Sequence, residues 1–257
     1  MELNKIYNED LFVTMNRMVD EGVKADVILT SPPYNNSRPS NSERALKEHE
    51  SRYDIHLDNM DNEQYTKWTC HIFNMYDQIL SENGVILYNM SYGSENVDIM
   101  YLTIASIIQN TNFCCADCIT WKKKSALPNN TSSNKLTRIT ENIFVFVRRN
   151  EFKTFNSNKS VTSENSRGQK YYENIFNYIE ARNNDGSCKL NKATYSSELC
   201  EKLLGIYAQP NSVVYDSFMG TGTTAVACKR LGHTYLGSEL SNGQCEFANE
   251  RLNKVGD

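Results

Sequence analysis

No apolar run in the sequence approaches the roughly 18–20 residues needed to cross a bilayer, so a membrane-spanning helix is not expected. The opening residues Met1, Glu2, Leu3, Asn4 and Lys5 lack the charged-then-apolar layout of a signal peptide, and the cytoplasm is the expected compartment. A disulfide framework is missing too. The eight cysteines are scattered through 257 residues, a chain long enough to build a core without covalent staples, so reduced thiols are expected. Cys114, Cys115 and Cys118 cluster, but no second pair answers them, and strand residues rather than a zinc site are expected there. A basic excess is absent as well: the net charge is −4, which by itself speaks against a nucleic-acid partner.

The distribution of charge reverses that reading. Residues 119–170 hold eleven basic against three acidic residues, a net +8, which leaves −12 for the rest of the chain. A basic stretch in an acidic protein is the footprint of a localised polyanion-binding face, the alternative being a solvated basic surface. Lys122, Lys123, Lys124, Arg138, Arg148 and Arg149 are its candidate phosphate contacts. The composition, 39% hydrophobic and 23% charged, is that of an ordinary globular protein. The length fits one large α/β domain with an insertion better than two independent domains.

Periodicity and turn residues give the organisation. Strands are expected at 5–7, 25–30, 85–89, 114–121, 141–147, 212–216 and 234–238, with Ser81 to Gly84 as a helix-ending turn. Helices are expected after Asp10, at 65–80, at 96–109 with Val97, Met100, Ile104 and Ile107 or Ile108 inward, at 196–207, from Thr223, and to about Leu252. Such alternation implies a doubly wound, mainly parallel sheet. Residues 35–59 are polar and read as a mobile loop, and the polar, weakly patterned residues 150–191 look inserted.

In an open α/β sheet ligands sit beyond the carboxyl ends of the strands. Asp216, Ser217, Phe218, Met219, Gly220, Thr221, Gly222 and Thr223 follow a strand and open a helix, so the glycines permit a tight turn against a ligand. Glu239 comes seventeen residues after Gly222, directly after the next strand, where an acid can accept hydrogen bonds from ribose hydroxyls. There are two well-placed glycines rather than three, and Asp216 stands where a pyrophosphate would meet negative charge. S-adenosylmethionine, with a sulfonium and an ammonium and no phosphate, suits that turn better. A nicotinamide site and a glycine turn without a ligand are the alternatives.

The second motif, Ser31-Pro32-Pro33-Tyr34, ends the strand at 25–30. An exocyclic amine on a nucleobase is a poor nucleophile because its lone pair is delocalised into the ring. Acceptors that hold both N–H groups return the lone pair to nitrogen. The Ser31 hydroxyl and the Pro32 carbonyl are such acceptors, Pro33 stiffens the loop, and Tyr34 can stack on the base. A paired base cannot reach such a pocket, so the chemistry requires flipping it out. The competing reading is a plain proline turn.

Together the motifs resemble the amino-group DNA methyltransferases, specifically the circularly permuted beta group, in which the Pro-Pro-Tyr motif precedes the cofactor motif. Here they lie about 180 residues apart in that order, and the similarity covers nearly the whole chain. The resemblance implies an S-adenosylmethionine-dependent methyltransferase fold, with residues 1–149 as the catalytic half, 150–191 as a target-recognition region and 192–257 as the cofactor half. It further implies that Ala193, Thr194 and Tyr195 flank the methionine end of the cofactor, that Asp10 contacts its adenine and that Phe218 packs beside it. Ser217 stands where many relatives carry proline, and Ala193-Thr194 where His-Pro is frequent. Residues 35–59 become a lid over the flipped base. Double-stranded DNA at a short specific site is the expected substrate; a restriction endonuclease acting on the same site and a second copy of the chain are further partner candidates. Adenine N6 is favoured over cytosine N4. A nicotinamide-dependent oxidoreductase and a DNA-binding relative without catalysis are the readings from other classes.

Overall fold

Val27 and Leu29 enter one apolar core, and Ile28 between them enters another. Strand β2 (Ala25–Thr30) is therefore covered on both faces, which is why its sequence is continuously apolar rather than alternating. In this computed structural model, which describes residues 1–35, 60–93, 96–126, 128–130, 132–186, 191 and 194–255, β2 lies within an eight-stranded sheet. The other strands are β1 (Lys5–Tyr7), β3 (Leu80–Met90), β4 (Phe113–Lys123), β5 (Thr140–Arg148), β8 (Tyr178–Ala181), β9 (Val213–Asp216) and β10 (Thr234–Ser238). Their spatial order is β1, β10, β9, β2, β3, β5, β4, β8. Every neighbouring pair is parallel except those that β5 makes with β3 and β4. The expected doubly wound, mostly parallel sheet is thus observed, with an antiparallel hairpin toward one side.

Helices α1 (Leu11–Asp20), α2 (Asn62–Ile79) and α3 (Asp98–Asn110) pack with the core that holds Ile28, Ile86 and Tyr88. On the opposite face, α4 (Ser197–Tyr207), α5 (Thr223–Leu231) and α6 (Asn242–Lys254) cover Val27, Val85 and Val214. Side-chain caps set several helix starts: Asp10, Asp61, Ser196 and Ser241 each accept from a backbone N–H of the first turn. No described helix is long and apolar enough to cross a membrane.

Several sequence expectations are corrected. Residues 81–84 are not a turn: they belong to β3, which begins at Leu80 and accommodates Asn83 at φ 57° through a register irregularity against β2. The helix expected at 96–109 starts at Asp98, and it buries Ile99, Met100, Thr103 and Ile107 while Val97 stays exposed. The stretch 150–191 is only partly an excursion. Strands β6 (Val161–Glu164) and β7 (Lys170–Tyr172) form a separate antiparallel pair, but β8 joins the main sheet parallel to β4. Its four residues alternate exposed and buried, a period too short to stand out in a polar context. The expected lid falls, apart from Asn35, on residues 36–59, outside the described residues.

Arg148 and Arg149, expected at the DNA interface, are placed elsewhere. Strand register sets Arg148 opposite Phe113, at the end of β5 remote from the carboxyl end of β3. Its guanidinium donates to the carbonyls of Asp77, Leu80 and Ser81 and pairs with the Asp77 carboxylate at 2.6 Å. It thereby satisfies carbonyls left open where α2 ends and β3 begins. Arg149 donates to the carbonyl of Ile108 on α3.

Lys122, Lys123 and Lys124 do reach the carboxyl-end side of the sheet, because Lys122 pairs with Thr140 at the start of β5. Each is engaged by a carboxylate: Lys122 with Glu180 and Lys124 with Glu198, both at 2.8 Å, and Lys123 with Glu141 at 2.5 Å. Glu198 also meets Arg182 and Lys202 at the first turn of α4. The Lys124 hydrogen bond leads the causes that hold its carboxyl down at about 2 against an ordinary 4.5. A depressed carboxyl contributes stability that is present above 4.5 and lost as pH falls toward 2. Glu198→Gln is accordingly expected to flatten the loss of stability between pH 4.5 and 2, read as urea midpoints across that window. An unchanged acid limb would remove this contribution.

Candidate active site

The carboxyl ends of β1, β2, β9 and β10 converge on one cleft that opens to solvent. Each strand supplies a loop to it. After β1 come Glu9, Asp10 and Leu11; after β2, Ser31 to Tyr34; after β9, Ser217, Phe218 and Gly220; from the end of β10, Ser238 and then Glu239 to Ser241, joined by Asn191 and Gln244. The two motifs, far apart in sequence, therefore share a single cavity. Its described lining includes three carboxylates, Glu9, Asp10 and Glu239, and no lysine or arginine. A pyrophosphate would be repelled there, whereas a cation would be held.

The glycine turn is built from beneath. Asp216 does not face the cleft, contrary to expectation: it is fully buried, and its carboxylate accepts from Thr30 at 2.7 Å, Thr224 at 2.6 Å, Tyr195 at 3.0 Å and the Phe218 N–H at 3.0 Å. Burial pushes its carboxyl pKa up, and these hydrogen bonds oppose the rise. Tyr195, expected at the cofactor, is one of those buried donors and does not line the cleft. Thr194 is half-buried but likewise absent from the lining, and Ala193 lies outside the described residues. Ser217, in the position of the more usual proline, is tied to the Tyr76 hydroxyl.

Of the two glycines only Gly220 borders the cleft. It adopts φ 54°, and its N–H donates to Glu239 at 2.7 Å. Gly222, at φ 80°, serves packing instead, since a Cβ there would come within 2.7 Å of the Ala248 side chain and drive α5 off α6. Thr223 is buried and accepts from Arg251, which also holds the Thr221 carbonyl. Glu239 accepts from the Gly220 and Ser241 N–H groups, so its carboxylate is fixed at the cleft wall. Asp10 caps α1 through Phe12 and lines the same wall. Phe218 borders the cleft and packs edge-on against Trp68.

On the catalytic side the Pro33 carbonyl accepts from Tyr65 at 2.6 Å, which anchors the proline loop to α2. The Ser31 hydroxyl lies 2.9 Å from that of Tyr34. Two residues absent from the sequence reading complete the group. Asn89, buried near the end of β3, donates to the Tyr34 hydroxyl at 2.7 Å, and Glu141, at the start of β5, accepts from it at 3.1 Å. The available signal was a polar residue closing the apolar run from Val85 to Tyr88. Glu141 had none, because a single carboxylate at a strand start is ordinary. Arg138, stacked 4.9 Å from the Tyr92 ring, is the other basic candidate on this side of the sheet.

The comparisons agree with this architecture. The protein is 25% identical over 99% of its length, and 70% of the relative's, to the Type II methyltransferase M.BglII of Bacillus subtilis. Its fold is similar to the crystal structure of M1.HpyAVI, with a TM-score of 0.64 at 23% identity over 97% of this chain and 98% of that one. It is similar also to the PvuII DNA methyltransferase described as cytosine-N4-specific, with a TM-score of 0.67 at 15% identity over 97% and 90% of the two chains. The profile of the N6/N4 DNA methylase family matches residues 25–250, and the chain belongs to that family of DNA methyltransferases.

Proposed function

We propose that this DNA methyltransferase methylates the exocyclic amine of a base turned out of the duplex, adenine N6, using S-adenosylmethionine held in the cleft at the glycine turn. The observation that carries this reading is the shared cavity: Ser31 to Tyr34 and the acidic wall of Asp10 and Glu239 line one cleft. S-adenosylmethionine, when bound, supplies an electrophilic methyl group. Glu239 would accept from the ribose hydroxyls, Asp10 would border the adenine, and Phe218 would pack beside the cofactor. Ser31 and the Pro32 carbonyl would hold the amine N–H groups.

A second reading, cytosine N4, is favoured by Ser31 at the head of the motif and by the likeness to the cytosine-N4-specific enzyme. Incubation with unmethylated genomic DNA followed by nucleoside mass spectrometry tests both. N6-methyladenine is the expected product; N4-methylcytosine would select the second reading, and no methylation of either base would refute both. Residues 150–191 would recognise the target sequence, and a restriction endonuclease sharing the site or a homodimer would be partners in that role. Glu239→Ala is expected to weaken S-adenosylmethionine binding about ten- to a hundredfold by calorimetry, the loss of charge-assisted hydrogen bonds worth roughly 1.5–3 kcal/mol. Unchanged affinity would remove Glu239 from the cofactor site.

A further inference from the structure

The hydrogen bonds around Tyr34 have a direction that a carboxylate imposes. A phenol has one proton and two lone pairs, and an ionised carboxylate only accepts. Tyr34 donates its proton to Glu141 Oε2 at 3.1 Å. One of its lone pairs is taken by Asn89 Nδ2 at 2.7 Å. The other is 2.9 Å from Ser31 Oγ, and since Tyr34 has no second proton to give, Ser31 must be the donor in that contact. Asn89 is turned the same way: its Nδ2 also lies 3.2 Å from Glu141 Oε2 and, more weakly, 3.4 Å from Ser31 Oγ, where it can engage one lone pair and leaves the other for the substrate, although this leaves its buried Oδ1 without a partner. The other Glu141 oxygen is anchored by Lys123, whose ammonium lies 5.1 Å from the Trp121 ring centre.

We propose that Glu141 is a positioning residue for methyl transfer: through Tyr34 it commits the Ser31 proton inward, so that Ser31 Oγ meets the substrate amine as a pure hydrogen-bond acceptor. A serine without this constraint can turn its own proton toward the amine, where it opposes the lone-pair localisation that the chemistry needs. The carboxylate thus gives serine the acceptor-only character that an aspartate side chain has intrinsically. The inference rests on Ser31 being the amine acceptor.

The test is single-turnover methylation at saturating DNA and cofactor. Glu141→Gln, whose amide can donate to the phenol and reverse the chain, is expected to slow the step roughly tenfold or more, with DNA and cofactor dissociation constants within about threefold of the original. Tyr34→Phe keeps the ring and breaks the same chain, so it should slow the step to a similar extent, and the double variant should be no slower than either single one. A wild-type rate in either single variant overturns the inference, as do losses that multiply in the double variant or a rate loss matched by an equal loss of DNA affinity. If Glu141→Gln fails to fold, Tyr34→Phe alone decides, because it removes only a hydroxyl. Ser31→Ala separates the two levels: a wild-type rate there would refute the acceptor role itself, whereas a slow Ser31→Ala beside a fast Glu141→Gln refutes only the positioning role.

Discussion

Ser31→Ala is expected to lower the single-turnover methylation rate about a hundredfold while leaving DNA and cofactor affinities nearly unchanged. In the displacement the amine nitrogen would bond to the methyl carbon as that carbon's bond to the sulfonium sulfur breaks and a neutral thioether leaves, and the nitrogen would stay cationic until it sheds a proton to solvent. Acceptors on its N–H groups therefore gain strength as the transition state forms, which is the condition for raising the rate rather than only tightening binding. Alanine removes one acceptor and leaves the Pro32 carbonyl in a loop still anchored by Tyr65. Tyr34→Ala should differ in kind. It removes the ring proposed to stack on the base, a contact worth about 1–3 kcal/mol per base, together with the hydroxyl that contacts Ser31, Asn89 and Glu141, so both base capture and rate should fall. Quench-flow rates beside equilibrium DNA binding distinguish the two variants. Ser31→Ala at the original rate would remove the role assigned to this loop.

Asp216→Ala is expected to act on the fold before it acts on the cofactor. The carboxylate is fully buried and accepts from three hydroxyls and the Phe218 N–H. Its removal leaves those donors short of an acceptor and opens a cavity under the glycine turn. Some relief is available, since Tyr195 and Thr224 already lie 2.7 Å apart and can bond to each other. A cost of about 2–4 kcal/mol follows, or roughly 5–15 °C in melting temperature for a chain of this size. Asp216→Asn keeps the volume and one acceptor oxygen, while the hydroxyls can rotate to accept from its amide, so it should lose distinctly less. Thermal melts followed by circular dichroism give the comparison. A melting temperature held within about 2 °C in Asp216→Ala, combined with a large loss of cofactor affinity, would restore the direct contact that the sequence suggested.

The alternation of strands and helices was legible because periodicity and turn residues are local properties. β1, β2 and β10 fall where the pattern places them, and the two motifs fall at strand ends, where ligands collect in such sheets. β8 was not legible, since four residues in a polar stretch carry too little period to separate a strand from a loop. The chemical type of the site was legible as well, because Ser31-Pro32-Pro33-Tyr34 and the glycine turn are contiguous runs whose residue types state their own constraints.

The use made of individual charges was decided only by the tertiary structure. Asp216 and Arg148 each look, from their neighbours in sequence, like groups meant for a ligand. Asp216 is instead saturated by Thr30, 186 residues away, and by Tyr195 and Thr224, while Arg148 fastens carbonyls at the far end of the sheet. Glu141 shows the converse, an unremarked strand residue brought against Tyr34 from 107 positions away. A charge takes its role from the partner that folding delivers to it and from how far water is excluded there, and both are properties of the packed sheet rather than of the local sequence.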